Sequence, residues 1–419
     1  MGGHAKTPEY TEEEITVGPK ANTYMKLCFA LGFIGLGVSA YLGHAENDKW
    51  AQFLFSYLVA FMFVLSFALG TLFFVNLQHL VRAGWSVVIR RQAEIISAGI
   101  PVMFILFLPI LVSTLMGSHS LFHWNDHELA KTDHFLHWKE PYLNVPFFTV
   151  RALFFFGFWA LLSRFMLKVS LKQDETGEVG LTNLREKVSA PAMVFFAMTL
   201  TFAAVDYIMC LNFHWISTMI GVYYFAGCFM TCMATMAILH LTLQDGGKLK
   251  GFITTEHYHD MGKLLFGFVF FWGYIAFSQF MLIWYANMPE GTDWYQARTW
   301  GEWETYTRLL IAGHFFIPFV GLISRHAKRR TKILKFWAVW LIFMQWADIY
   351  YFIMPNKVHG PGPEAAAAKL VIPWNLMDLT CLIGVGGIFA GTVFMIARGK
   401  KMVPLKDPRL PECLSHEVM

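Results

Sequence analysis

Residues 195–206 read FFAMTLTFAAVD, an apolar stretch that closes on one acid, Asp206. Residues 336–348 read FWAVWLIFMQWAD and close on Asp348. Phe, Ala, Leu and Phe recur at matching places in the two stretches, which indicates two related apolar helices in one chain. A carboxylate in hydrocarbon is costly unless it is paired or protonated, so each acid is expected to serve a function or to lie in a buried ion pair.

The composition is typical of a membrane protein rather than of a soluble one. Of the 419 residues, 56% are hydrophobic and only 15% are charged, whereas about 25% are charged in soluble domains. The first twenty residues are polar and contain no apolar core, so no signal peptide is predicted. The six cysteines are scattered and form neither a disulfide framework nor an iron–sulfur ligand set. Lipid is an expected partner, and nucleic acid is not.

Apolar runs of at least about 18 residues predict ten transmembrane helices. They are expected at 24–42, 51–80, 96–116, 146–170, 190–212, 214–243, 263–287, 305–325, 332–354 and 373–397. Of the 33 Lys and Arg residues, 25 lie in the N-terminus or after even-numbered helices, where Arg82, Arg90 and Arg91 fall in the loop after helix 2. The loops after odd-numbered helices hold six. The positive-inside rule therefore places both termini in the cytoplasm.

An internal repeat relates the helices to one another. At an offset of 161 residues, Ser56 matches Ser217 and His79 matches His240, so helices 2–5 echo helices 6–9. Each unit has an even number of helices, which keeps both copies in the same orientation. The predicted fold is an all-α integral membrane protein with two tandem parallel four-helix bundles, helices 2–5 and 6–9, and peripheral helices 1 and 10.

This fold divides the chain into six segments. They are a cytoplasmic N-terminal segment (1–23), helix 1 with its loop (24–50), the first bundle (51–212), the second bundle (213–354), an outer loop with helix 10 (355–397) and a cytoplasmic tail (398–419). The glycines at 32–37 and 384–387 are expected to be small-residue contacts between helices rather than nucleotide sites. Two outer loops, 117–145 and 288–304, are rich in Trp and acids. Either an interfacial aromatic belt or a docking surface for an extrinsic subunit would explain them.

Helical rise places Asp206 and Asp348 near the outer ends of helices 5 and 9, and Arg151 and Arg308 at similar depth in helices 4 and 8. Each bundle is therefore predicted to hold one Arg–Asp pair. In a functional interpretation the two acids are the catalytic candidates, as proton acceptors; in a structural one the pairs only satisfy themselves. The candidate supporting network comprises Arg151, Arg308, Tyr207, Gln345, Tyr350 and Tyr351.

Four further residues are candidates for a proton relay. His79 and His240 are expected at the cytoplasmic ends of helices 2 and 6, and His314 within helix 8. Asp378 in helix 10 is the fourth, although it could equally cap the start of that helix. A b-type haem needs two facing histidines and each bundle offers one, so hydrogen-bonded interfacial histidines are the simpler interpretation. No metal motif and no cofactor-binding residue is predicted.

Two segments carry a resemblance to a known family: VDYIMCLNFHWIS at 205–217 and FSQFMLIWYANMPE at 277–290. With the ten-helix layout, the chain resembles the NrfD/polysulfide-reductase family of membrane subunits. Within that family, these segments are similar to the ActF-type subunits of bacterial alternative complex III. The similarity extends over essentially all ten helices.

The resemblance implies a membrane subunit, without cofactors of its own, of a menaquinol-oxidising respiratory complex in the bacterial inner membrane. Menaquinol would be the substrate, and haems and iron–sulfur clusters would lie on partner subunits. These partners would be a homologous ten-helix subunit of the ActC type, an extrinsic iron–sulfur subunit, c-type cytochrome subunits and a terminal oxidase. The chain would contribute a quinol pocket, or a scaffold and proton pathway. A secondary transporter built on a parallel repeat and a structural membrane anchor are the alternatives.

Overall fold

The computed structural model describes residues 8–46, 48, 50–358 and 368–417. Within these ranges the regular structure is helical, and ten helices are long and apolar enough to cross a membrane. They are α1 (Lys20–Ala45), α2 (Ala51–Leu80), α3 (Val87–Leu115), α4 (Val145–Thr176), α5 (Gly180–Leu211), α6 (Ile220–Asp245), α7 (Thr255–Ala286), α8 (Glu302–Ile323), α9 (Thr331–Asn356) and α10 (Leu376–Ala397). The predicted all-helical membrane fold with ten spans is confirmed.

Two predicted helix starts are wrong by about ten residues. The third helix begins at Val87 rather than at 96, and the fifth at Gly180 rather than at 190. The first part of α3, Val87–Ser97, is polar in sequence but entirely buried, and the helix is interrupted before its second part begins at Ile100. Hydropathy misses such starts because protein rather than lipid surrounds their polar side chains. Of the predicted terminal segments and outer loop, residues 1–7, 359–367 and 418–419 lie outside the described part.

Helices α2 and α6 form the centre of the structure. α2 contacts α3, α5, α6, α9 and α10, and α6 also contacts α5, α7 and α9. A Cβ added to Gly70 of α2 would lie 2.0 Å from the carbonyl oxygen of Cys228 in α6, so the two backbones touch. Near the middle of α2, the Tyr224 hydroxyl donates to the Met62 carbonyl at 2.7 Å. Close backbone approach and one buried hydrogen bond thus fix α6 against α2.

Helix α1 lies on the outside and packs along α10. The predicted small-residue contact is confirmed there, because a Cβ at Gly35 would lie 2.7 Å from the backbone nitrogen of Gly384. A Cβ at Gly387 would lie 2.8 Å from the Cα of Gly32. Side chains at these positions would force the two helices apart.

We call the face that carries both terminal segments the terminal face, and the opposite one the distal face. The terminal segments pair with each other, since the Met402 backbone nitrogen donates to the Ile15 carbonyl at 2.8 Å. Thr16 and Lys401 form an antiparallel bridge beside it. The tail is therefore folded against the helices.

A buried ionic cluster anchors this tail. Asp407 lies 2.5 Å from Arg90 and 3.6 Å from Arg185, and Arg91 and Glu94 complete the cluster at 3.2 Å. The predicted loop position of Arg90 and Arg91 is wrong: both lie in α3 and are fully buried. Counting charges next to an apolar run cannot separate a solvated loop from a buried polar helix start. Such a cluster needs every partner, because removing one carboxylate leaves a buried charge uncompensated.

The central helix contact gives a stability prediction. Gly70→Ala should lower the free energy of unfolding by about 1–3 kcal/mol, because the new methyl group overlaps the Cys228 carbonyl. Denaturant unfolding of the purified protein in detergent measures the change. Gly37→Ala in α1 is the matched control, since nothing lies within 4 Å of its added Cβ. Equal stability of the two variants would contradict the close α2–α6 contact.

Candidate functional site

Asp206 lies in the last turn of α5, near the distal face, and is buried. The predicted partner is present: Arg151 of α4 donates through Nε to Oδ2 at 2.8 Å and through Nη2 to Oδ1 at 3.0 Å. Such a two-point contact is among the strongest pairings available to a carboxylate. The charge of Asp206 is therefore compensated within the first half of the chain.

Tyr142 completes this first site, and the sequence analysis did not identify it. Its hydroxyl donates to Asp206 Oδ1 at 2.8 Å, while its carbonyl accepts from Arg151 Nη1 at 2.9 Å. The guanidinium lies 3.8 Å from the centre of the Tyr142 ring. Burial raises the pKa of the Tyr142 phenol above its ordinary range, and the Asp206 charge raises it further, so the phenol remains a donor. Its only sequence signal was an aromatic residue just before α4.

Asp348 in α9 is held differently. It accepts hydrogen bonds from the Tyr223 hydroxyl of α6 at 2.6 Å and from Trp272 Nε1 of α7 at 3.0 Å. Within the described ranges no Lys, Arg or His forms an ion pair with it. Asp348 is 2% exposed, so this carboxyl group lies in the protein interior with only neutral donors.

The predicted Arg308–Asp348 pair is wrong. The Arg308 side chain is 74% exposed and contacts Glu304, one turn earlier in α8. The reason lies in the repeat: at the offset of 161 residues, the counterpart of Arg151 is Ala312 rather than Arg308. Depth along a helix was predicted correctly, but Arg308 lies on the outward face, away from α9.

His314 extends the second site behind Trp272. The two rings stack with centroids 4.0 Å apart, and His314 is fully buried in the π-helical turn Ala312–Phe316. Pro318 has no N–H to donate to the His314 carbonyl, which accounts for a helix irregularity at this position. The Trp340 indole of α9 donates to the Gly313 carbonyl at 2.7 Å within the same turn. The irregular turn thus positions His314 against the indole that holds Asp348.

A small cavity of about 10 Å³ lies beside Asp348. Gln345, Tyr223 and Ile208 are among its lining residues, so both halves of the chain contribute to it. This volume is close to the minimum that one water molecule needs. Gln345, a predicted network residue, therefore lies next to the acid, although its Oε1 has no hydrogen-bond partner in the described part of the chain.

The remaining predicted network residues do not contact the two acids. The Tyr207 hydroxyl has no hydrogen-bond partner among the described residues, and the Tyr207 ring packs 4.8 Å from Phe107. Tyr350 bonds to Asp378 at 3.3 Å rather than to Asp348. Tyr351 lies over Arg298, 5.5 Å from its guanidinium. Neighbours in sequence at a helix end point to different sides, which explains why adjacency to an acid did not predict contact with it.

Asp378 caps the start of α10, as the structural interpretation expected. It accepts from the Asn375 backbone nitrogen at 3.1 Å and from the Ser56 hydroxyl of α2 at 2.5 Å. Together with Tyr350, these contacts connect α2, α9 and α10 near the distal face. This polar group is therefore a joint between helices.

The predicted relay histidines are buried but dispersed. His79 and His240 are both fully buried near the terminal ends of α2 and α6. In the part of the chain that the structure describes, His79, His240 and His314 make no contact with one another. Of the four relay candidates, only His314 is connected to one of the catalytic candidates, through Trp272. The described ranges also contain no group of three His, Cys, Asp or Glu side chains placed to hold a metal ion.

A cleft of about 900 Å³ opens on the distal face, between the two long loops. Asp133 and His214, paired at 2.7 Å, are on one side of it, and Asp293, Arg298 and Lys369 also line it. The cleft is therefore polar and charged, unlike the helix surfaces around it.

Arg298 and Trp294 form one wall of this cleft. Arg298 donates to the carbonyls of Tyr351, Trp294 and Phe352 at 2.9–3.1 Å and stacks 3.5 Å from the Trp294 ring. Burial lowers the pKa of Arg298 to about 9, so the group still carries its charge at neutral pH. Trp294 in turn stacks on Trp215 at 4.2 Å. These tryptophans pack inside the protein rather than in an interfacial belt.

No known protein-family model matches the chain, and no curated protein shows significant similarity to it.

The first site gives a double-mutant test of the Arg151–Asp206 pair. Arg151→Leu should lower the free energy of unfolding by about 3–5 kcal/mol, because it leaves the buried Asp206 carboxylate without its cation. Adding Asp206→Leu should restore much of this loss, since no buried charge then remains. The matched control is Arg308→Leu, on the exposed face of α8, which should leave stability nearly unchanged. Denaturant unfolding in detergent checks all three, and a large cost for Arg308→Leu would contradict the observed pairing.

Proposed function

We propose that the chain is an integral membrane subunit of a respiratory quinol:electron-acceptor oxidoreductase. The proposal rests on its resemblance to the NrfD/polysulfide-reductase family and to the ActF-type subunits of alternative complex III. The distribution of Lys and Arg supports a bacterial inner membrane with the terminal face in the cytoplasm. The repeat, and the contacts of α2 with α3–α5 and of α6 with α7 and α9, support two parallel four-helix bundles.

The single observation that carries the functional proposal is the environment of Asp348. Two neutral donors hold this buried acid, and no cation is paired with it in the described ranges. Protonating Asp348 breaks no ion pair, whereas protonating Asp206 disrupts a two-point contact with Arg151. Ionisable groups buried in membrane proteins without a fixed partner are typical of proton pathways. Asp348 is thus the proposed proton acceptor, and Asp206 the proposed structural counterpart.

The neighbours of Asp348 would each have a part in this role. The Tyr223 hydroxyl can pass a proton along its hydrogen bond to the carboxylate. The adjacent cavity fits one water, which would connect the acid with the distal side. Trp272 donates but cannot accept, so it would orient the carboxyl group. Quinol oxidation releases protons, and an acid near the distal face would receive them there.

The wider complex follows from the same proposal. Menaquinol would be the substrate, while haems and clusters would lie on the extrinsic iron–sulfur and c-type cytochrome subunits. The charged distal cleft would be covered by the extrinsic subunit, beside a homologous ten-helix subunit of the ActC type and a terminal oxidase. Because the cleft is lined by charged groups of both signs, a polar protein surface suits it better than lipid does.

A secondary transporter is the second candidate, and the interruption of α3 between Ser97 and Ile100 favours it. Broken helices are typical of transporter binding sites, although they usually lie near the membrane midplane. Affinity purification from native membranes distinguishes the two functions. A subunit of a respiratory complex should bring down haem- or cluster-bearing partners, and a transporter should not.

The role of Asp348 can be tested in the intact complex. Asp348→Asn should lower quinol-dependent turnover or the accompanying proton release by about 100-fold, a typical effect of removing a proton-accepting group. The haem content of the purified complex should stay unchanged, because asparagine keeps the hydrogen bonds from Tyr223 and Trp272. Glu304→Gln, an exposed acid on the same face, is the control. Normal turnover and proton release in Asp348→Asn would overturn the proposal.

A further inference from the structure

A pocket of about 320 Å³ lies in the half of the helix assembly nearer the terminal face. Its walls come from α2, α3, α6 and α10, and they are almost wholly apolar, with Phe63, Phe67 and Phe389 among them. The volume falls in the range of about 300–1,000 Å³ that is usual for small-molecule sites. Neither of the two candidate acids lines this pocket.

One buried polar side chain points to a ligand. Gln92 lines the pocket and is 3% exposed, yet neither its amide nitrogen nor its amide oxygen has a hydrogen-bond partner among the described residues. The Thr235 hydroxyl, which also lines the pocket, lacks a partner as well. Leaving a buried amide unpaired costs about 1–3 kcal/mol per group. A ligand that offers an oxygen atom to Gln92 would remove that cost.

Water alone explains the site poorly. A buried water molecule needs two to four polar partners, and genuinely apolar cavities stay dry. Gln92 and Thr235 are the two polar side chains among the residues that line the pocket. An occupant that fits must therefore fill most of the volume with hydrocarbon.

The terminal segments limit the charge of the occupant. Val17 and Met402 line the terminal end of the pocket, and the pairing of Ile15 with Met402 holds these segments together. None of the described residues that line the pocket is charged. A phosphate head group would find no counter-ion here and would lose its hydration. The chemistry of the walls thus favours a neutral head.

We propose that this pocket binds a neutral membrane lipid. Its aliphatic or isoprenoid chain lies against the phenylalanines of α2 and α10, and its carbonyl or hydroxyl oxygen hydrogen-bonds to Gln92. Fatty alcohols, diacylglycerols and isoprenoid quinones all belong to this chemical class. The proposal does not rest on the respiratory function, because the acids invoked there lie at the distal end of the helices.

A pocket-filling variant tests the site. A Cβ at Gly386 would have only Val64 within 4 Å, at 3.9 Å, so Gly386→Leu should extend into the pocket without a backbone collision. The protein is purified with its native partners, and its bound lipids are extracted and measured by mass spectrometry. Gly386→Leu should retain about tenfold less neutral lipid, equivalent to a loss of about 1.4 kcal/mol in binding. Gly157→Leu is the matched control, because its added Cβ meets nothing within 4 Å on the exposed side of α4.

A second variant tests the polar contact. Gln92→Leu keeps a side chain of similar size but removes the hydrogen bond to the head, so it should also reduce neutral lipid without changing bound phospholipid. The mass spectra separate quinones from other neutral lipids. Unchanged neutral-lipid content in both Gly386→Leu and Gln92→Leu would overturn the proposal. So would recovery of phospholipid alone from the wild-type protein.

A photolabelling experiment covers the case in which a variant fails to fold. The wild-type protein is exposed to a long-chain alcohol that carries a diazirine, and the labelled peptides are mapped after irradiation. Label should concentrate on the pocket residues of α2, α6 and α10, and an excess of the unlabelled alcohol should remove it. Label spread evenly over the exposed faces of α1 and α4 would contradict a defined site. Neither measurement uses turnover, so the result is independent of the proposed respiratory function.

Discussion

The backbone contact between α2 and α6 positions every other polar feature of the molecule. With Gly70 against Cys228, the two helices lie closer than side chains would allow, and both α5 and α9 pack against this pair. The helices that carry Asp206 and Asp348 thus share one rigid support. α6 supplies Tyr223 directly to Asp348, whereas α4 and the loop before it supply the partners of Asp206. The same central pair therefore serves two acids in two different ways.

This difference shows how a duplicated unit diverges. Both halves keep an acid near the distal end of their last helix, but one acid has a cation and the other has two neutral donors. An ion pair with good geometry resists any change of protonation state, since either partner alone is costly to bury. Neutral donors impose no such penalty. A single early substitution at the position of a pairing arginine would be enough to separate a structural site from a reactive one.

The sequence predicted the features that depend on local composition, and failed where distant helices decide. Apolar runs identified ten helices, but the starts at Val87 and Gly180 were missed because buried polar partners replace lipid there. Arg151 was placed correctly, and Arg308 was not, since counting residues gives depth along a helix but not the face that meets a neighbour. The repeat offset held that information. Tyr223 and Trp272 could not be found, because helices far apart in sequence bring them to Asp348.

The burial of Asp407 has a consequence for biosynthesis. Arg90 and Arg185 enter the membrane region early in translation, whereas their shared carboxylate lies among the last residues to leave the ribosome. Until then α3 and α5 carry cationic groups without their final counter-ion, so the terminal ends of these helices cannot close. The native packing of the first half is therefore completed only after the whole chain has been made. A chain that stops short of Asp407 would expose unpaired arginines, a mark by which quality-control proteases distinguish unfinished membrane proteins from finished ones.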